Sequence, residues 1–285
     1  MTDDPSPTLR RRELGAHLRR LRGERGWTTK YVADQLGFSV SKVSRMETGA
    51  RGVNTRDIGA LTRLFGIDDE LAAHLDLIAR TGKRRNEKRA TLVLNTDYMS
   101  IEDQSFLDLE RDAAVIREYN SMVIPGLLQT EGYMRAAMRG SNPDVSLPAI
   151  ESSLATRLAR QRILDSTQRP DYEVIVDEAA LRRQVGGPGV MRAQIDSLIR
   201  ATRKGIVQFT VIPFAAGSHP GVNSDFVALK LDDPSVADVV FVEGLAGHLR
   251  FDRPADIQRY ERVWSTLQGV ACSPEETTTL LSSMR

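Results

Sequence analysis

The chain predicts an α+β protein in two domains, on three observations. Helix-cap signals and helical apolar spacing run from about residue 10 to residue 80. Short β-branched runs bounded by Pro, Gly or Asp recur between Tyr172 and Val242, as strands do. Charge divides the same way: residues 1–90 hold 19 Lys+Arg against 12 Asp+Glu, net +7, and the remainder hold 20 against 26, net −6. With 285 residues there is material for two cores. The expected parts are a five-helix domain over 8–80, a basic linker over 81–96 and a mixed helical and β-sheet domain over 97–285.

The first helix is expected from about Arg10 to Arg25. Thr28 is a suitable N-cap for a second helix with Val32, Ala33 and Leu36 on one face, ended by Gly37 in the left-handed conformation. Ser39 caps a third, in which Val43 and Met46 point inward and Ser41, Lys42, Ser44 and Arg45 outward. A short helix with a polar outer face suits the reading of base edges in a DNA groove. Val40, Ser41, Lys42 and Arg45 are therefore the base-contacting candidates, Arg45 by two hydrogen bonds to guanine and Val40 against a thymine methyl. Thr28, Thr29, Lys30, Ser39 and Arg51 are the candidates for phosphate contact, which fixes register without reading sequence. Asn54, Ile58, Leu61 and Leu64-Phe65-Gly66 mark a fourth helix and Asp68 to Ala79 a fifth. A basic domain of this kind attracts double-stranded DNA, and one short helix reads so few bases that a homodimer on two half-sites is expected. The linker, with Lys83-Arg84-Arg85 and Lys88-Arg89, is either a solvated hinge or a second phosphate-contacting segment.

Beyond it, Phe106, Leu109, Ala113 and Ile116 predict a helix that ends before Ile124-Pro125-Gly126, and 130–139 and 148–165 continue the helical pattern. Tyr172 to Val176, Ile206 to Ile212, Phe226 to Leu231 and Val239 to Val242 read as strands of one sheet, with Val190 to Arg203 as a crossover helix. Pro254 opens a long helix, and Ser273-Pro274-Glu275-Glu276 is a capping box that opens a last short one.

Little in the chain suggests catalysis. The single cysteine, Cys272, excludes an intramolecular disulfide and a cysteine zinc site. His17, His74, His219 and His248 form no ligand pair in sequence, so no metal is expected. Gly186 to Gly189 lacks the strand before it that a dinucleotide fingerprint needs, no nucleophile elbow is present, and no cofactor or catalytic residue is expected. Asp177 and Glu178 read as helix caps, and they could pair with Glu243 only if the strand ends converge. Two segments suit partner or ligand binding: the loop Pro213 to Asp225 with His219 and Asn223, and the interrupted stretch with Ile124, Pro125 and Tyr133. The start of the chain is polar and no apolar run nears the roughly 20 residues that span a bilayer, so a cytoplasmic, nucleoid-associated protein without membrane contact is expected.

The pattern LxxLRxLRxxxGWTxxxVAxxLGFSxSKVSRMExG, from Leu14 through Gly26, Val32, Gly37, Ser41 and Val43 to Glu47 and Gly49, resembles the XRE (Cro/repressor-like) helix-turn-helix family. IPGLLQTEGYMRA at 124–136, RLARQRIL at 157–164, DEAALRRQVGGPGVMRAQIDSL at 177–198 and VQFTVIPFAAGSHPGVNSDFVALKL at 207–231 resemble the domain of unknown function fused to such modules in actinomycete regulators of the WhiJ type. The resemblance implies a transcriptional regulator, antitoxin-like, paired with a small protein. Three roles stay open for the second domain: binding a small protein that modulates DNA binding, sensing a small molecule, or hydrolysis near His219.

Overall fold

The computed structural model describes residues 7–81, 104–232, 236–244 and 247–285, so the linker beyond Thr81, with its two readings, lies outside the described residues. Contacts divide the described residues into two units, one of residues 7–81, 104–112 and 236, the other of residues 113–232, 237–244 and 247–285. Among the described residues no helix is long and apolar enough to cross a membrane.

The first unit holds α1 (Pro7–Glu24), α2 (Thr29–Leu36), α3 (Val40–Glu47), α4 (Thr55–Phe65) and α5 (Asp69–Thr81). Leu14, Leu18, Val32, Val43, Ile58 and Leu75 share one buried core, which fixes all five helices against each other. A sixth, α6 (Gln104–Arg111), belongs to the same unit and packs on α1, where Thr8 Oγ1 donates to Asp108 Oδ2 at 2.7 Å. The sequence places this helix in the second domain; in space it completes the first.

The expected helix holds Phe106 and Leu109 on α6 but stops at Arg111, short of Ala113 and Ile116. After α6 the chain turns into β1 (Ala113–Asn120), at the centre of a six-stranded sheet. The connection to the next strand carries α7 (Glu131–Ser141) and α8 (Leu147–Gln161), and β2 (Asp171–Asp177) then lies parallel to β1, with Ile116 opposite Tyr172. From β2 the chain passes through α9 (Glu178–Arg182) and the expected crossover helix α10 (Pro188–Arg203) to β3 (Gln208–Ile212), parallel to β2. The remaining strands, β4 (Phe226–Leu231), β5 (Val239–Gly244) and β6 (Gly247–Phe251), are antiparallel neighbours, giving the order β3-β2-β1-β4-β5-β6. β6 is absent from the sequence reading. The sheet therefore changes from parallel to antiparallel pairing at β1. The chain ends in α11 (Pro254–Val270) and α12 (Pro274–Ser283), the latter opened by the Ser273–Glu276 capping box. Trp264 and Leu267 of α11 pack over the face that carries Tyr119, Ile175, Phe226 and Val240. Val174, Ile175 and Val176 are buried in succession, so β2 is covered on both faces.

Candidate nucleic-acid interface

The helix-turn-helix follows from local chemistry. Thr28 Oγ1 accepts from the Tyr31 amide at 3.1 Å and Ser39 Oγ accepts from Lys42 N at 3.1 Å, so each helix begins on a side-chain cap. Between them Gly37 sits at φ 64°, a conformation that a β-carbon would strain, and its amide closes α2 on Ala33 and Asp34 carbonyls. Val32 and Ala33 of α2 meet Val43 and Met46 of α3 in the core.

The end of α3 is braced from α1. Arg22 Nε donates to Glu47 Oε1 at 2.7 Å and Nη2 to Oε2 at 3.0 Å, a two-pronged pair, while Nη1 donates to the Trp27 carbonyl at 2.9 Å. The hydrogen bond to Glu47, and its charge, hold the Arg22 guanidinium above its ordinary pKa against the opposing effect of burial. α1 and α3 also approach closely: a β-carbon on Gly15 would lie 2.6 Å from the Met46 carbonyl oxygen.

Of the base-contacting candidates, Val40, Ser41 and Arg45 are exposed on α3, and Arg45 Nε donates to the Ser41 carbonyl at 3.2 Å. Lys42 departs from expectation. Its ammonium pairs with Asp57 Oδ1 of α4 at 2.9 Å and lies 3.3 Å from the centre of the Phe38 ring, so it is spent within the protein rather than presented. Thr28, Lys30, Ser39 and Arg51 are exposed and Thr29 is half-buried, all around the two helix starts and the loop after α3.

In the second unit the interrupted stretch is packed largely inward, and Ile124 and Gln129 line a cavity at the carboxyl end of β1. Ile124, Pro125 and Tyr133 are buried, Ile124 N donates to the Tyr133 hydroxyl, and three glutamines clamp the segment. Gln129 donates to Ile124 O, Gln161 to both Gly126 O and Gln129 O, and Gln194 donates to Leu128 O while accepting from Thr130 N. These glutamines satisfy a turn that would otherwise bury bare backbone.

His219 is also buried, with Nε2 3.3 Å from Asp177 Oδ2 and its ring edge-on to Tyr119, whereas Asn223 is exposed. Asp177 also caps α9, accepting from Ala179 N. Glu178 accepts from the Phe214 amide and from Arg182. Burial pushes this carboxyl up, yet those bonds outweigh it and hold it below the ordinary range. Neither pairs with Glu243, which lies elsewhere, at a cavity of about 50 Å3 on the carboxyl edge of β1 with Glu118, Asn120, Gln129, Arg160 and Asp225. Burial raises the half-buried Asp225 carboxyl above its ordinary value, the Ser121 contacts opposing it.

One correlation escapes sequence spacing. Glu13 and His17 of α1 and His74 of α5 each place a possible ligand atom within 4.8 Å of the other two. The histidines read as scattered thus include a pair that only the packing of α1 on α5 brings together.

The family described as domain of unknown function (DUF5753) matches residues 103–283, more than half of the chain. The chain belongs to the DUF5753 family. A helix-turn-helix domain matches residues 13–75, so this DUF5753 protein is a DNA-binding regulator with its helix-turn-helix at the N-terminus. The DUF5753 match begins just before α6, so α6 belongs to the family segment in sequence and to the first unit in contacts. No curated protein and no solved structure matches the chain.

Proposed function

We propose that this protein is a sequence-specific transcriptional regulator of the XRE, antitoxin-like kind that acts as a homodimer on two half-sites. The observation that carries the reading is α3, whose Val43 and Met46 are locked in the core while Ser41, Ser44 and Arg45 face outward. In this reading α3 lies in the major groove with Val40, Ser41 and Arg45 on base edges, and Thr28, Thr29, Lys30, Ser39 and Arg51 meet phosphates. The second unit binds a small protein or a small polar molecule and thereby changes DNA affinity. In this reading the second unit binds its ligand without turning it over, and saturation without turnover distinguishes it from a hydrolase at His219.

The test is selection from random duplexes with the full chain. The expected product is a near-palindromic site whose halves lie about one helical turn apart. Recovery of unselected sequence, or of a single half-site bound by one chain, refutes the reading. Operator affinity measured with and without a co-purifying partner tests the second unit, and no change refutes modulation.

A further inference from the structure

α1 and α5 face each other across the core formed by Leu14, Leu18, Leu75 and Ile78, so side chains just outside that seam are held on rigid supports. Three of them carry metal-ligating chemistry. Glu13 and His17 stand one turn apart on α1, and His74 faces them from α5, with its Nε2 3.9 Å from Glu13 Oε1 and its ring edge-on to that of His17 at a centroid distance of 6.0 Å. One donor atom from each lies within 4.8 Å of the other two.

We propose that Glu13, His17 and His74 form a three-ligand site for zinc or a similar late first-row divalent ion, which clips α1 to α5. Two imidazoles and one carboxylate match the donor set zinc prefers, with water as the fourth ligand. His74 is about half exposed, so that position opens to solvent. Zinc bonds of about 2.0–2.2 Å put tetrahedral donors roughly 3.3 Å apart. The present spacing, within 4.8 Å, is wider than this, and the ion has to draw the three side chains together. Magnesium is excluded by chemistry, because it favours oxygen ligands and sheds its waters reluctantly.

Arg20 opposes the ion. Its Nη2 lies 3.3 Å from His17 Nδ1, where a guanidinium repels a dication. It is a solvent-exposed side chain paired with Glu24 at 3.8 Å, and such exposed pairs cost little to break, so Arg20 can swing into water as the metal enters. The clip also bears on α3, because the helix that supplies Glu13 and His17 supplies the Arg22 brace to Glu47.

The experiment is a zinc titration of the metal-stripped full chain against a chromophoric chelator, with hydrogen exchange followed with and without the ion. The expected result is one zinc per chain at micromolar affinity, not displaced by excess magnesium. His17→Gln and His74→Gln should each weaken it by roughly tenfold or more, as loss of a ligand requires. Arg20→Gln should bind at least as tightly as the wild type. Zinc should slow exchange in α1 and α5 of the wild type and not of His74→Gln. His74 is exposed, so this variant keeps the fold. Absence of a saturable site in the wild type, or binding unchanged in the His17→Gln/His74→Gln double variant, overturns the proposal.

Discussion

Arg22→Met should loosen α3 while leaving the second unit intact. The methionine keeps the apolar stem but removes three hydrogen bonds and leaves the Glu47 carboxylate, whose side chain is 8% exposed, without its cation. Stranding one partner of a buried pair costs about 3–5 kcal/mol, and since the Arg22 side chain is itself 18% exposed the lower end applies, about 3 kcal/mol. At about 1.4 kcal/mol per factor of ten, that raises the open population of α3 roughly a hundredfold. Hydrogen exchange of the full chain, read by mass spectrometry, should show amides of α3 exchanging faster by about that factor and those of α10 unchanged. Arg22→Lys should recover part of the protection, because an ammonium cannot make two parallel bonds to one carboxylate. Equal acceleration in both helices, or a change in α3 of less than about threefold, would refute the brace and place the cost elsewhere.

Gly15→Ala should destabilise the first unit by about 1–3 kcal/mol, read as a lower thermal midpoint, since the added carbon meets the backbone of Met46 and Glu47 rather than a movable side chain. Gln194→Leu leaves Thr130 N and Leu128 O without partners and should cost about 2–5 kcal/mol in urea unfolding of the second unit; a neutral result would mean that water replaces the amide. The Glu178 carboxyl is held below its ordinary pKa in the folded state, so it contributes stability that is complete above its ordinary value and is lost as pH falls from there through its lowered folded-state value. Glu178→Gln should therefore flatten the acid limb of the stability profile of the second unit, and an unchanged limb would discount the Phe214 and Arg182 contacts.

The helix-turn-helix was legible because its determinants are local: Thr28, Gly37 and Ser39 act within three or four positions of themselves, and the burial of Val43 and Met46 shows as spacing. The strand β1 was not. Phe106 and Leu109 lie on α6, and Ala113 and Ile116 continue their helical interval by accident. Arg117 and Glu118 make the run look like a polar face, whereas their partners, Glu173 and Tyr172, come from β2. The same limit applies to Lys42, whose partner Asp57 is on another helix, and to Gln129, Gln161 and Gln194, which look like surface residues until the buried turn they serve is seen. The Glu13, His17 and His74 group depends on the packing of α1 against α5, which no spacing rule anticipates.

The account turns on α3 reading bases, and the measurement closest to that claim is the ratio of specific to random-duplex affinity for wild type, Arg45→Ala and Lys30→Ala across a range of salt. A bidentate guanine contact is worth roughly 1–3 kcal/mol of discrimination, so Arg45→Ala should lower the ratio by about tenfold or more while weak general affinity survives. Lys30→Ala should weaken all duplexes alike and flatten the salt dependence by about one counterion. An unchanged ratio for Arg45→Ala would contradict the account.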